Sequence, residues 1–201
     1  MMKFKLPFVV IMSFMLATLP VAAQNLTARQ MSIYFGSPKK VTMSNSQGTT
    51  VVEFDQSGRI TCARQGSMSI SYEWNESGDE VTLSMYQGAN FQDGVCVQVV
   101  ENSPSRLKYI MGGEMVCDVL FKENGALDHF VMSNAQLSAS TTYCYKSAND
   151  VYPSQIEQKS GDQAMVISVV INETDSYGNA IAYTQECMGN KDVARLIIEY
   201  Y

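Results

Sequence analysis

The chain is poor in the residues that most catalysis needs. It has a single histidine, His129, and a single tryptophan, Trp74, among 201 residues. A Ser–His–Asp or Cys–His arrangement would have to use His129. Its neighbour Asp128 cannot orient it, because adjacent residues of a strand point to opposite faces. One imidazole also excludes the usual two- and three-histidine metal sites. No two cysteines have C-x-x-C spacing, which excludes a zinc knuckle and a thioredoxin-type redox centre. There is no glycine loop ahead of a helix to cradle phosphate, and no cofactor is expected. There is no basic run, and 14 Lys+Arg stand against 20 Asp+Glu, a net charge of −6. That balance argues against nucleic acid and anionic membrane surfaces. Beyond residue 20 no apolar stretch approaches the roughly 20 residues of a membrane-spanning helix. No stretch after the N-terminal segment has convincing helical periodicity.

What is present begins with an address. Met1-Met2-Lys3-Phe4-Lys5 carries two positive charges, Leu6 to Leu19 is a short apolar run, and Pro20-Val21-Ala22-Ala23 puts small residues before Gln24. This is the grammar of a cleavable secretory signal over residues 1–23. Its removal leaves a single domain, 24–201, of 178 residues with 12 bases, 20 acids and all five cysteines. A chain of that length can support its own core. The expectation is an exported protein: periplasmic, outer-surface or secreted, with no transmembrane segment after cleavage.

From residue 30 onwards short β-rich runs alternate with turn clusters. The runs include Met31–Phe35, Thr50–Phe54, Met68–Trp74, Val81–Tyr86, Arg106–Met111, Met115–Phe121, Met165–Ile171 and Val193–Tyr201. Most alternate apolar with polar residues, the period of a half-buried strand, and Val, Ile, Thr and Tyr fill them. Residues 133–163 are the least regular, a long loop or a site for a short helix. The predicted fold is all-β: an antiparallel meander of about a dozen strands forming a twisted sheet, a sandwich or a partly closed barrel.

Several turns resemble one another. Phe54-Asp55-x-x-Gly58-Arg59-Ile60 has an aromatic four residues before the glycine and an aliphatic two after it. Phe121-Lys122-x-x-Gly125-Ala126-Leu127 keeps the spacing, Trp74-Asn75-x-x-Gly78 keeps its first half, and Thr174-Asp175-x-x-Gly178-Asn179 is looser. Asp or Asn would open each turn with a side-chain bond to the backbone, and Gly would take the left-handed position. Stacked hairpins of this kind bury faces that none can bury alone. These segments resemble YD (RHS-type) repeats, whose core reads Tyr-Asp-x-x-Gly-Arg/Asn-Leu. The ending, Asp175 to Asn179 followed by Arg195 to Tyr201, is similar to the last hairpin of small secreted proteins of gut-dwelling Gram-negative anaerobes, mostly domains of unknown function. The resemblance implies twisted antiparallel hairpins in an exported protein and carries over no catalytic residue.

Two residue classes remain as leads. Cys62, Cys96, Cys117, Cys144 and Cys187 are an odd set, so disulfides among them would leave at least one thiol over. They read equally well as buried apolar cysteines. Tyr72, Trp74, Tyr86, Tyr143 and Tyr145 (with Tyr152 nearby) could form a platform for sugar rings or peptide, or could be core. Glu73, Glu76, Asp79 and Glu80 gather around one turn, the ordinary place for solvated acids. The expected function is a non-enzymatic binding or assembly module of the cell envelope whose partner is an envelope protein or a glycan. The alternatives are a glycan-binding module with an aromatic face and a hydrolase using turn carboxylates.

Overall fold

The computed structural model describes residues 34–201. The signal segment and most of the expected first strand, Met31–Phe35, lie outside them. Fourteen strands follow one another: β1 (Pro38–Asn45), β2 (Gly48–Phe54), β3 (Ile60–Gln65), β4 (Met68–Trp74), β5 (Glu80–Gln87), β6 (Asn90–Ser103) and β7 (Arg106–Met111) form the first half. The second half is β8 (Met115–Phe121), β9 (Leu127–Ser133), β10 (Ser138–Cys144), β11 (Gln155–Ser160), β12 (Gln163–Thr174), β13 (Ala180–Cys187) and β14 (Asn190–Tyr200). Each strand pairs with its sequence neighbours, and β1 also pairs antiparallel with β14, so the meander closes into a barrel. Residues 133–163 hold β10 and β11 around an irregular segment, 145–154.

Every second connection lies at the same end of the barrel. The distal end carries the tight turns, such as Gln65–Met68 and Gln87–Asn90. The other, terminal end carries the Asp-x-x-Gly turns, the segment entering β1 and the C-terminus. Here the four related turns share one geometry. The N–H groups of Gly58, Gly78, Gly125 and Gly178 donate to the carbonyls of Asp55, Asn75, Lys122 and Asp175. Asp55 Oδ1 accepts from the Ser57 and Arg59 amides at 2.9 Å each, and Asp175 Oδ1 from Tyr177 and Asn179 at 2.9 and 2.8 Å. All four glycines have positive φ, between 73° and 85°, which other residues adopt only under strain.

Period-two alternation sorts the side chains. Val52, Phe54, Val81, Leu83, Leu107, Tyr109, Cys117 and Val119 face inward and are buried. Lys40, Glu53, Arg64, Lys108, Asp118 and Glu157 face outward on the same strands or their neighbours. A circular barrel of more than about 16 strands leaves an aqueous channel, whereas about eight strands are just filled by side chains. Fourteen strands fall between, yet Leu107 and Tyr109 are 0% and 1% exposed. Inward residues from β1 to β14, Val41, Tyr109, Tyr143 and Leu196 among them, form one buried cluster, with Tyr72 packed against it. The barrel is therefore flattened, with its two walls meeting over a filled centre. Leu107→Ala should cost about 2–5 kcal/mol, measured by urea unfolding.

Candidate functional site

The five aromatics expected to form a platform do not share one outer surface. Tyr72 and Tyr143 point into the barrel, where burial pushes both phenols above their usual range. Trp74 packs against the core at the terminal end. Its indole N–H donates to the Ile60 carbonyl at 3.0 Å, and the Arg59 guanidinium lies 5.7 Å from its ring centroid. Tyr145 donates to the Leu127 carbonyl at 2.5 Å, with Lys122 Nζ 4.1 Å from its ring centroid. Tyr86 sits outside, at the distal end, edge-on to Phe91 with centroids 5.8 Å apart. Tyr72 and Trp74 do share a strand face, and it is the inner one.

The ionisable groups are occupied by local structure. His129 Nδ1 lies 3.0 Å from Thr142 Oγ1 on the outer wall. Nearby Asp118 is held by Arg106 through two bonds, 2.8 and 2.6 Å, which keep its carboxyl below the ordinary range. In the acidic turn, Ser77 and Asn75 donate to Asp79 at 2.5 and 2.7 Å and lower its pKa. Among the described residues no three His, Cys, Asp or Glu side chains converge to hold a metal.

The cysteines are all free, and the disulfides considered from sequence are not formed. The register explains it. Cys62 faces Glu53 and Ser71, Cys96 faces Thr82, Cys117 faces Tyr109 and Met132, Cys144 faces Gln155, and Cys187 faces Asn190. No cysteine lies opposite another across a strand pair. Burial pushes the Cys117 thiol up to about 12, a shift partly offset by its hydrogen bond with Tyr109.

The two ends of the barrel differ in chemistry. The terminal end is tied together by side-chain hydrogen bonds. Asn179, 0% exposed, accepts the Phe35 N–H on Oδ1 at 2.5 Å and donates through Nδ2 to the Phe35 carbonyl at 3.0 Å. The same amide donates to Tyr200 Oη at 2.7 Å, and Tyr200 donates to Asp175. Tyr201 adds a bond from its hydroxyl to the Phe54 carbonyl at 2.6 Å. Burial opposes ionisation of Asp175, but the bonds from Tyr200, Asn179 and Tyr177 outweigh it and hold the carboxyl below its ordinary value.

The distal end is built from methionine. Seven methionines face inward near its turns: Met43, Met68, Met85, Met111, Met115, Met132 and Met165. Met85, Met111 and Met132 are buried, whereas the other four are half-buried at the mouth. The eighth described methionine, Met188, stands in the β13–β14 turn, 82% exposed. Around this collar the register places five glutamines on the inward face: Gln65, Gln87, Gln158, Gln163 and Gln185. The collar is not among the features expected from the sequence. Its signal was there, because each inward methionine lies within two residues of a distal turn, but only closure reveals that those positions share one mouth.

Two measurements check this geometry. Asp175 and Asp118 have folded-state pKa values below the ordinary 3.8, so their contribution is present above that value and lost as pH falls through the folded one. The melting temperature should fall below about pH 4, and Asp175→Asn should flatten that slope. In a thiol assay the non-reduced, denatured protein should react at all five cysteines. Before unfolding, exposed Cys96 should react and buried Cys117 should not.

No family model and no curated protein matches the chain. Among solved structures it is similar to a porin-like protein from Bacteroides vulgatus, with 14% identity over 83% of this chain and 99% of that one and a TM-score of 0.44. A porin-like protein from Bacteroides uniformis is similar at 11% identity, with the same two shares and a TM-score of 0.43.

Proposed function

We propose that this is an exported, non-enzymatic module of the cell envelope that stays in water and takes up an apolar guest through its distal mouth. The carrying observation is the contrast between the two ends: a terminal end tied together by aromatics and the Asn179 latch, and a distal end lined by half-buried methionines. Thioethers on unbranched chains repack around guests of irregular shape, which makes methionine-rich surfaces good apolar binders.

The walls support the aqueous setting. A bilayer-spanning barrel turns an apolar band about 25 Å tall outward and polar residues inward. This barrel buries most of its apolar side chains inside and carries charges on its outer face beside exposed aliphatics such as Val166, Val170 and Ile197. Asp118 and Lys108 lie opposite each other on the outer face in the middle of their strands. Lys40 pairs with Glu199 at 3.1 Å and Arg64 with Glu53 at 3.2 Å on the same surface. In hydrocarbon, charges so far from either rim would cost several kcal/mol.

The folded protein should remain in solution when mixed with phospholipid vesicles and sedimented, and it should raise Nile red emission saturably at about one dye per barrel. Stable insertion into vesicles, or no dye uptake by the folded protein, would overturn the reading.

A further inference from the structure

The outer wall carries one aromatic feature that neither the core nor the mouth uses. We propose that the distal part of β4 to β6 binds a neutral glycan on its outer face, one sugar ring lying against Phe91 and Tyr86 with its hydroxyls met by Ser69, Ser71 and Ser84. This face is separate from the methionine mouth, and binding here is independent of the guest proposed for the mouth.

Alternation sets the face. Ile70, Tyr72, Leu83 and Met85 point inward, so Ser69, Ser71, Ser84 and Tyr86 point out. Across β5 and β6 the register puts Phe91 opposite Tyr86 and Gly94 opposite Ser84. Gln92 is the extra residue of a bulge between those pairs, a device that re-aims side chains at the rim of a barrel. Phe91 reaches back along its own strand: a Cβ on Gly94 would stand 3.5 Å from its Cζ. Gly94 is not one of the glycines with positive φ, so its backbone does not call for glycine. What the missing side chain provides is room, and the Phe91 ring uses it to lie along the wall. The ring is still 60% exposed, and Tyr86 stands beside it with an interplanar angle of 73°. A single exposed apolar residue needs no explanation. Two rings forming a corner open to water, beside a patch of hydroxyls, are a different feature.

The hydroxyls come from three serines. Ser69 pairs with Tyr86, and Ser71 with Ser84. Strand spacing and rise give this patch sides of roughly 5 and 7 Å, the footprint of a sugar ring. Among the described residues the three serine side chains have no hydrogen-bond partner. A serine hydroxyl both donates and accepts, as the hydroxyls of a sugar do, while the C–H face of the sugar finds its apolar contact on the aromatic rings.

Charge points to a neutral ligand. Arg64, opposite Ser69, is taken by Glu53 through two bonds of 3.2 and 3.4 Å. The next charge along the outer face of β4 is Glu73, an acid. A uronate or phosphate would therefore meet no unengaged cation on these strands. An apolar peptide would cover the three hydroxyls without bonding them, which costs free energy.

Affinity electrophoresis of the folded protein tests the site, in native gels containing a mixed-linkage β-glucan, a galactomannan, an arabinoxylan or the anionic polygalacturonate. At least one of the three neutral polymers should retard the protein, and polygalacturonate should not. Phe91→Ala should raise the apparent Kd for that polymer about tenfold, corresponding to about 1.4 kcal/mol, with the melting temperature unchanged. The double variant Ser71→Ala, Ser84→Ala should also bind more weakly, a loss that an apolar partner would not show. Retardation by none of the neutral polymers, equal or stronger retardation by polygalacturonate, or unchanged retention in either variant would each overturn the inference. None of these outcomes bears on dye uptake at the mouth. If Phe91→Ala does not fold, Tyr86→Ser takes its place with the same criteria.

Discussion

The pairing of β1 with β14 is the interaction on which the rest depends. Val41 and Ile198 are partners across this seam, although almost the whole domain lies between them. Closing so long a loop costs conformational entropy before any contact repays it, though the cost grows only slowly with length. The return is the removal of both open edges, each of which would otherwise offer unpaired backbone groups to another chain. The latch stands beside this seam. Asn179 binds both backbone groups of Phe35 and also Tyr200, so one buried amide ties the segment before β1 to the end of β14. Gly36 fits there because a Cβ would come within 3.1 Å of the Tyr200 ring.

Closure also turns alternation into function. In an open sheet, one apolar face needs a partner layer. In a flattened closed sheet, the two halves of the same face become each other's partner, and Tyr109 and Tyr143 join one buried cluster with Tyr72 packed against it. The outer face is then free to carry the ladder of Glu199, Lys40, Glu53 and Arg64 in alternating sign. Exposed pairs of this kind contribute little to stability. Their consequence is a charged outer wall. The same closure gathers methionines scattered over seven strands into one mouth, and puts the aromatic residues and the latch at the opposite end.

Much of the strand pattern was legible beforehand. The runs at Met68–Trp74, Arg106–Met111 and Met115–Phe121 coincide with β4, β7 and β8, because their alternation and turn residues are local signals. β1 was missed: Pro38-Lys39-Lys40 opens it with a residue that cannot donate to a ladder and two cations, and it forms only between β2 and β14. β11 was missed for a related reason. Its Gln-Ile-Glu-Gln-Lys-Ser sequence offers one apolar residue, Ile156, and neighbours on both sides hold it. Tyr72 and Trp74, two residues apart on β4, share a face because alternation is local, but which face turns inward is set by closure.

The sequence by itself determined what depends on neighbours a few residues apart: the strand period, the Asp-x-x-Gly turns with their glycines, and the separation of apolar from charged faces. Only the tertiary structure decided which face became the interior, that the meander closes, that no two cysteines meet and that the methionines share one rim. Those outcomes depend on register across strands and on a seam between the two ends of the domain, where long-range packing rather than local propensity fixes the geometry.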